Sequence, residues 1–455
     1  MNNTKLTSTA AYQQADAAHY LHPFTDNGAL GNNARIICRA DGVYLWDTDG
    51  NQLLDGMSGL WCVNVGYGRA SITQAVAKQM DKLPYYNSFF QCATPPAIEL
   101  AQTLTEVAPP GFNRVFFAGS GSEANDTVVR MCRYYWQLRG QPQRTVFISR
   151  HNAYHGSTVA GVSLGGMKGM HAQGGPLIPD IVHVRQPYWY EEGRDMTPAV
   201  FGHQAATAVA EKIEEIGAHR VAAFIGEPVQ GAGGVIIPPD SYWPEVQKIC
   251  AHYDIPIVAD EVICGFGRLG EWFGSQRLNI DAKIMPIAKG LTSGYLPMGG
   301  VLVHDDIADV LIKSGEFAHG FTYSGHPTCA AAALENIRIL REENIISRVR
   351  DEVAPYFQKR WATLESHPLV GETRGIGMVA ALELVADKAS GQRFNFVPGA
   401  GVRCREHSAA AGLIMRAVSD TMIVAPPLII SPAQIDELVA KARQALDALA
   451  NEIIG

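Results

Sequence analysis

The chain has 455 residues, of which 47% are apolar and 18% are charged, so it is long and apolar enough to form two or three globular domains. Its net charge of −8 argues against a nucleic-acid partner, and no apolar run approaches the ~20 residues that span a bilayer. Eight cysteines without a Cys-x-x-Cys pair predict free thiols, and because no signal-peptide pattern is present we expect a cytoplasmic protein without a metal site.

The N-terminal part of the chain predicts an arm followed by a hairpin. Residues 1–35 are polar with scattered aromatics, which is typical of an arm that packs on another surface. The apolar runs 42–47 and 52–55 flank an Asp-Gly turn and predict a β-hairpin. A glycine-rich loop follows at 56–68, and residues 71–83 have the spacing of a helix.

Between about residues 95 and 300, helices alternate with short apolar strands. The predicted strands are 114–117, 145–149, 221–225, 256–259, 284–288 and 300–303, and the predicted helices are 98–107, 122–138 and 243–253. This alternation indicates a mostly parallel sheet that is covered by helices on both faces. Ligands of such folds bind at the carboxyl ends of the strands.

The remainder of the chain predicts a smaller α/β domain. Its predicted helices are 329–341, 345–365, 401–411 and one from 431 onwards, and its predicted strands are 375–383, 413–416 and 422–425. We therefore expect an N-terminal arm and part of the small domain in residues 1–70, a large domain in 71–330, and the rest of the small domain in 331–455.

Three motifs suggest activities that their surroundings do not favour. The G-x-G-x-x-G pattern at 265–270 is that of a dinucleotide loop, but two carboxylates separate it from its strand and no good helix follows. The G-x-S-x-G pattern at 161–165 lacks the strand that precedes a nucleophilic serine. His151 and His155 are spaced like helical metal ligands but lie in a predicted loop.

A better signal is the Gly/Ser loop at 119–122, which joins a predicted strand to a predicted helix. Such a loop offers backbone N–H groups, two hydroxyls and the positive end of a helix dipole to a phosphate. The loop also fits a dinucleotide pattern, but the next strand ends in Arg150 and His151, without an acid to hold a ribose. It therefore predicts a site for one phosphate monoester, with an ordinary capped helix as the alternative.

Three further residues add the parts of a cofactor site. Asp260 follows a buried strand, where a carboxylate requires a cationic partner such as a protonated pyridine. Tyr154 lies in a loop after another strand and can stack on an aromatic ring, although a packed tyrosine is the simpler interpretation. Lys289 follows four apolar residues, and a desolvated lysine can form a Schiff base with a carbonyl. Together with the phosphate loop, they predict that the chain binds pyridoxal 5'-phosphate (PLP) at Lys289.

These motifs resemble those of the class III (ω) aminotransferases. The matching segments, in family order, are GSGSEAND at 119–126, YHG at 154–156, EP at 227–228, ADEV at 259–262, AKG at 288–290 and HGFTYSGHP at 319–327. Segments 59–65, 163–167 and 416–418 are similar to the amine–pyruvate and putrescine–pyruvate transaminases. The resemblance implies the α/β, PLP-dependent transferase fold of type I, with a large domain and a smaller domain built from both termini.

The resemblance also implies roles for individual residues. Lys289 would bind PLP covalently and carry a proton during the reaction, and Asp260 would pair with the pyridine nitrogen. The other implied cofactor ligands are Ser120, Gly121, Ser122, Tyr154, His155, Glu227 and Val262, together with Thr322 from a second subunit. The implied substrate pocket contains Leu60, Trp61, Phe89, Tyr154, Ala232 and Arg416, of which Arg416 would bind the carboxylate of the acceptor.

The implied reaction moves the amino group of a terminal amine, such as a putrescine-like diamine or an ω-amino acid, to pyruvate by a ping-pong mechanism. The products would be an aldehyde or ketone and L-alanine. The alternatives are an aminotransferase for β-alanine or 4-aminobutyrate, a PLP decarboxylase or aminomutase of the same fold, and a nicotinamide oxidoreductase. The family is dimeric, which implies a homodimer or a tetramer. Tyr67, where many relatives have histidine, and Lys283, where aspartate is common, are departures from the family.

Overall fold

The computed structural model describes residues 7–175 and 177–454. Its strands are β1 (Ile37–Asp41), β2 (Tyr44–Asp47), β3 (Gln52–Asp55), β4 (Arg114–Ala118), β5 (Val146–Arg150), β6 (Ile181–Val184), β7 (Val221–Gly226), β8 (Ile257–Ala259), β9 (Ile284–Ile287), β10 (Gly299–Val303), β11 (Val370–Ile376), β12 (Val379–Leu384), β13 (Leu413–Ile414), β14 (Arg416–Val418) and β15 (Thr421–Val424).

The α-helices of the same residues are α1 (Thr9–His19), α2 (Asn27–Leu30), α3 (Ser58–Trp61), α4 (Ala70–Lys82), α5 (Pro95–Val107), α6 (Gly121–Leu138), α7 (Val159–Leu164), α8 (Lys168–His171), α9 (Trp189–Glu192), α10 (Pro198–Ile216), α11 (Tyr242–His252), α12 (Gly274–Arg277), α13 (Asp305–Lys313), α14 (Pro327–Glu342), α15 (Ile345–Arg348), α16 (Ala354–Ala362), α17 (Ala400–Ala410) and α18 (Pro432–Ile454). Helices α5, α10 and α14 begin with proline in the first turn, where its missing N–H costs nothing.

The largest sheet has the strand order β4-β10-β9-β8-β7-β5-β6. The five strands from β9 to β6 are parallel, and β10 runs antiparallel to both of its neighbours, β4 and β9. β7 is buried along its whole length, with Phe224 in the apolar cluster that includes α10 and α11, and Ile225 in the cluster that includes α6. The predicted mostly parallel sheet with helices on both faces is therefore confirmed.

Two smaller sheets lie outside the large one. The first has the order β1-β2-β3-β13, in which the predicted hairpin β2–β3 pairs in parallel with β13 from the C-terminal part. The second has the order β11-β12-β15-β14 and is antiparallel throughout. Segments from both ends of the chain thus share one sheet, as the resemblance implies.

Several predicted elements differ from those in the structure. The single strand predicted at 375–383 is part of the β11–β12 hairpin, which turns at Gly377 with φ +58°. A side chain at Gly377 would overlap the backbone of Leu269, so this turn requires glycine. The strand predicted at 413–416 is divided between β13 and β14 of different sheets. The helix predicted at 345–365 contains a π-helical stretch at Val349–Val353, and β1 and β6 were not predicted.

The structure describes all eight cysteines. All eight cysteines are free, although Cys38 is exposed and Cys62 and Cys92 are only partly buried. None of the helices within residues 7–175 and 177–454 is long and apolar enough to cross a membrane.

Candidate active site

A cavity of about 360 Å³ lies at the carboxyl ends of four parallel strands, β4, β5, β8 and β9. The loops that follow these strands therefore meet at this edge of the sheet, as expected for α/β folds. The sequence-predicted residues that line the cavity are Ser120, Gly121, Ser122, Tyr154, His155, Asp260, Val262 and Lys289.

The loop between β4 and α6 is held by a reciprocal capping arrangement. The Ser120 hydroxyl accepts a hydrogen bond from the N–H of Glu123 (3.2 Å), and the Glu123 carboxylate accepts one from the N–H of Gly119 (2.6 Å). The N–H groups of the first turn, at Gly121 and Ser122, have no acceptor within the helix. They and the helix dipole make this edge of the cavity suitable for a phosphate.

Gly121 is required by close packing at the same place. A Cβ atom there would lie 3.0 Å from both methyl groups of Val262, on the floor of the cavity. Behind it, the Ser122 hydroxyl accepts a hydrogen bond from the N–H of Ser157 at 3.0 Å, which leaves its own proton free to donate.

Asp260 is the fixed anion of the site. Its Oδ2 accepts hydrogen bonds from His155 Nδ1 (2.7 Å) and Asn125 Nδ2 (2.9 Å), and its Oδ1 accepts one from the N–H of Val262 (3.0 Å). Burial alone raises the pKa of Asp260, but the hydrogen bond and charge of His155 and the other two donors outweigh it and hold the pKa below its usual value. The carboxylate therefore stays ionised beside the cavity.

Glu227 does not line the cavity but supports a residue that does. It follows β7, and its carboxylate accepts hydrogen bonds from the N–H groups of Tyr154 (2.7 Å) and Gly231 (2.9 Å). Burial raises its pKa, while the charges of His155 and Arg150 oppose the increase. Glu227 thus fixes the backbone at Tyr154, next to Asp260.

Lys289 lies two residues after the end of β9, directly after the apolar run. Its backbone has φ +44°, which is uncommon for a residue other than glycine and is found at functional sites. Burial lowers the pKa of its ammonium, and Cys62 and Asp260 oppose this effect only in part. The lysine therefore releases its proton more readily than an exposed lysine does, as a nucleophilic amine requires.

Of the predicted substrate residues, Tyr154 lines the cavity, and the other five are not among its lining residues. Trp61 is buried in an apolar cluster with 1% of its surface exposed, and Ala232 is also buried, with 4% exposed. Leu60 and Phe89 are 57% and 38% exposed. Arg416 starts β14 and is partly buried, and burial lowers its pKa.

Thr322 and Arg416 have different relations to the site. Thr322 is exposed and is not among the residues that line the cavity of its own chain, while the charge of Arg416 contributes to the lowered pKa of Lys289. Within the described residues, no carboxylate forms an ion pair with Arg416, so its charge is available to a ligand.

Several lining residues were not predicted as site residues. Gly119 lies in the predicted phosphate loop, and Cys62, Asn125, Gly156 and Ala288 lie in the family segments without an assigned role. The others, which no motif indicated, are Thr292, Gly294, Leu296, Pro297 and Met298. Asn125 follows Ser122 by three positions, so both lie on one face of α6, and this spacing was a usable signal. Gly156 has φ +128°, and a side chain there would overlap Ser122.

The three other motifs occur in structures that do not suit their activities. Ser163 lies within α7, where its hydroxyl donates to the carbonyl of Val159. Residues 265–270 form consecutive turns and do not start a helix. Among the described residues, no cluster of histidine, cysteine or carboxylate side chains could hold a metal ion.

The side chains around the cavity fit PLP. Its aldehyde requires a lysine with a lowered pKa, which is Lys289, and its phosphate requires the free N–H groups that begin α6. Its pyridine nitrogen requires an ionised carboxylate, which is Asp260. The three groups converge on one cavity.

Comparisons with known proteins agree with this chemistry. The family described as class-III aminotransferase matches residues 28–446. The chain is 61% identical to a putrescine–pyruvate aminotransferase of Pseudomonas aeruginosa, over 99% of this chain and 100% of the relative. It is similar to the structure of an (S)-enantioselective ω-transaminase from Thermomicrobium roseum (TM-score 0.95, 40% identity, 97% and 99% of the two chains).

A second solved structure, an ω-transaminase from Pseudomonas jessenii in complex with PMP, gives a TM-score of 0.93 at 38% identity, over 96% and 98% of the two chains. The family match covers far more than half of the chain, and both structures have the same fold throughout. The chain therefore belongs to the class III aminotransferases, which are PLP-dependent enzymes of fold type I.

Proposed function

We propose that this aminotransferase moves the amino group of a terminal amine, with putrescine-like diamines as preferred donors, to pyruvate. The products are an aldehyde or ketone and L-alanine. The observation that carries the proposal is the 61% identity, over nearly the whole of both chains, to a putrescine–pyruvate aminotransferase. The match spans both the predicted substrate-binding segments and the cofactor site.

Within this proposal, the residues of the cavity have separate roles in cofactor binding and proton transfer. PLP, when bound, supplies an electron-accepting ring that stabilises negative charge on the substrate carbon. Asp260 holds a negative charge beside the ring nitrogen, and its three hydrogen bonds keep the carboxylate oriented. The Nζ atom of Lys289 accepts and returns a proton, because its pKa is lowered. Gly121 and Ser122 bind the phosphate through their N–H groups.

The acceptor carboxylate is assigned to Arg416. A guanidinium binds a carboxylate through two parallel hydrogen bonds. Burial is the main cause of the lowered pKa of Lys289, and the charge of Arg416 adds a smaller lowering effect. The apolar residues Leu60, Trp61, Phe89 and Ala232 are assigned to the walls that an uncharged donor chain contacts. Such walls discriminate weakly between amines, by about 1–3 kcal/mol per methylene.

The functional unit is proposed to be a homodimer, with tetramers also compatible, in the cytoplasm. Tyr20, Leu21, Phe24 and Phe90 are large apolar side chains with at least 59% of their surfaces exposed, which suits a surface that another chain covers. Thr322 is assigned to the site of the other subunit. The domain division 1–70, 71–330 and 331–455 is part of the same proposal.

A donor panel with pyruvate tests the proposed reaction. Putrescine, cadaverine, β-alanine, 4-aminobutyrate and an aryl-ethylamine are compared by the rate of L-alanine formation, with Lys289→Ala as the inactive control. We expect both diamines to give a higher kcat/KM than the ω-amino acids. A preference for β-alanine or 4-aminobutyrate would support the ω-amino acid alternative, and alanine formation by Lys289→Ala at the wild-type rate would contradict the role of the lysine.

A further inference from the structure

The segment 56–62, called here the Trp61 loop, contains the short element α3, whose backbone is not helical at Gly59 and Leu60. Ser58, Gly59 and Trp61 all have positive φ, at 49°, 66° and 64°. Such conformations are costly for residues other than glycine and persist only where the surroundings enforce them. The loop ends at Cys62, which lines the cavity together with Lys289, so its conformation sets part of the cavity wall.

Asp55 enforces this conformation from inside the protein. It is fully buried at the end of β3, and its Oδ1 accepts a hydrogen bond from the N–H of Met57 (2.9 Å). Its Oδ2 accepts hydrogen bonds from the N–H of Gly59 (2.6 Å) and the hydroxyl of Tyr67 (2.7 Å). A buried carboxylate must have its oxygens satisfied, and Tyr67 supplies the only side-chain donor to Asp55 in the described chain.

Tyr67 also limits the space beneath the loop. A Cβ atom added to Gly59 would lie 3.3 Å from the Tyr67 hydroxyl, so the tyrosine packs directly against this turn. Burial and the negative charge of Asp55 raise the pKa of Tyr67, so the hydroxyl remains protonated and donates to the carboxylate. On the other side of the loop, Ser58 donates to the carbonyl of Ala425 at 2.7 Å.

We propose that Tyr67 is a positioning residue which, through Asp55, holds the Trp61 loop in its strained conformation and thereby sets which amines can approach Lys289. The pair touches neither the cofactor groups of the cavity nor the phosphate loop. Its influence is exerted through the wall at Cys62, whose thiol is close enough to Lys289 for each to affect the other's pKa. The inference rests on the proposed function only in assuming that an amine donor reaches Lys289.

The test compares Tyr67→Phe with the matched control Tyr295→Phe. The Tyr295 hydroxyl donates to the carbonyl of Gly66 (2.9 Å) and accepts from the N–H of Arg69 (2.8 Å). The control therefore removes a tyrosine hydroxyl that is bound to the same stretch of backbone but leaves Asp55 unchanged. The amine half-reaction of each PLP-loaded enzyme is followed spectroscopically without any acceptor, with putrescine and with the bulkier 1-phenylethylamine.

For Tyr67→Phe, we expect the second-order rate constant of the half-reaction with putrescine to fall about tenfold, mainly through a higher apparent Kd for the amine, because the relaxed loop no longer keeps its strained conformation. The bulkier amine should lose less, so the ratio of the two values should shift towards it by about tenfold. Tyr295→Phe should leave the ratio within about twofold of wild type. The reaction of the aminated enzyme with pyruvate should be unchanged in the control Tyr295→Phe.

An unchanged ratio in Tyr67→Phe, with a loss of Tm equal to that of Tyr295→Phe, would reduce Tyr67 to a structural role and overturn the inference. If Tyr67→Phe does not fold, Gly59→Ala tests the same loop, because its Cβ approaches the Tyr67 hydroxyl at a positive φ; a wild-type ratio there would also overturn it. Failure of the proposed function is a separate result, since it concerns L-alanine formation from pyruvate and the half-reaction needs no acceptor.

Discussion

At the scale of single residues, the site combines a fixed anion with a proton that can move. Burial raises the pKa values of Asp260 and Glu227 and lowers that of Lys289. Three donors reverse the effect at Asp260 and keep it ionised, whereas the partial compensation at Lys289 leaves its pKa lowered. Desolvation disfavours the charged form of both groups. Hydrogen bonds nevertheless keep Asp260 charged, whereas Lys289 loses its proton more readily.

The assignment of Arg416 predicts a selective loss in Arg416→Ala. Because a charge-assisted hydrogen bond contributes about 1.5–3 kcal/mol, KM for pyruvate should rise by roughly tenfold to a hundredfold. The amine half-reaction should stay near the wild-type rate, since the amine donor carries no carboxylate. Steady-state kinetics with varied pyruvate measures the first effect, and Arg416→Lys, which keeps the charge without the planar fork, should be intermediate. Equal losses in both half-reactions would contradict the assignment.

Glu261 predicts a pH dependence of stability. It accepts hydrogen bonds from the N–H groups of Gly274 (2.8 Å) and Ser275 (2.6 Å), yet burial raises its pKa from 4.5 to about 7. The folded protein therefore keeps a proton that the unfolded chain releases, so this contribution is complete below pH 4.5 and is lost as pH rises towards and through 7, by roughly 3 kcal/mol. Asp260 has the opposite shift, and its contribution is lost only as pH falls below its ordinary value of 3.8.

The variant Glu261→Gln isolates this effect, because it cannot ionise. Tm measured between pH 5 and 8 should fall less with pH in Glu261→Gln than in the wild type. Parallel Tm profiles for the two proteins would show that Glu261 ionises in the folded state as readily as in the unfolded one.

At the scale of elements, the predictions succeeded where the pattern is local. α6, β7 and β9 lie within a few residues of their predicted positions, because capping residues and short apolar runs specify them from neighbouring sequence. The β11–β12 hairpin was mistaken for one strand, since its turn at Gly377 interrupts a continuous apolar run. No local signal shows that β13 pairs with β3 while β14 pairs with β15.

β12 contains a buried carboxylate, that of Glu383, which contacts side chains from several parts of the chain. Glu383 is fully buried and pairs with Arg374 (2.5 Å) and Arg393 (2.6 Å), and it accepts hydrogen bonds from Tyr188 and Thr421. Removing one member of a buried ionic cluster leaves the others without compensation, so Glu383→Ala should cost about 3–5 kcal/mol.

The loss of stability in Glu383→Ala can be compared with the effect of removing a surface ion pair. Glu342 pairs with Arg338 on the exposed face of α14, and Glu342→Ala should change stability by about 1 kcal/mol or less. Thermal unfolding of the two variants measures the difference. A loss in Glu383→Ala no greater than in Glu342→Ala would mean that the buried cluster contributes little to stability.

At the scale of the whole molecule, one chain supplies most of the cavity but not every implied ligand. Thr322 is exposed and does not line the cavity of its own chain, and its carbonyl accepts a hydrogen bond from the Tyr85 hydroxyl at 2.6 Å. The segment around it also presents Tyr323, which is 63% exposed. This placement is compatible with the proposed homodimer, in which Thr322 would contact the phosphate at the other site.

Mixed dimers test this arrangement. Thr322→Ala should weaken PLP binding about tenfold, through loss of a hydrogen bond to a charged group, and Lys289→Ala should be inactive. Unfolding and refolding the two variants together at limiting PLP should restore activity, because one site of each mixed dimer then has both wild-type residues. No recovery, although mixed dimers form, would place Thr322 in the site of its own chain and contradict the proposal.

By itself, the sequence determined the family and the parallel sheet. It also predicted a cofactor site at Lys289, Asp260 and the phosphate loop, which line one cavity in the structure. These residues directly follow apolar strands, so the neighbouring sequence is enough to predict that they lie at the ligand-binding edge of the sheet. Only the tertiary structure decided that Asn125 orients Asp260 and that Tyr67 and Asp55 brace the Trp61 loop. Such contacts join residues that are far apart in the chain, and their energies depend on burial and distance, which no local pattern specifies.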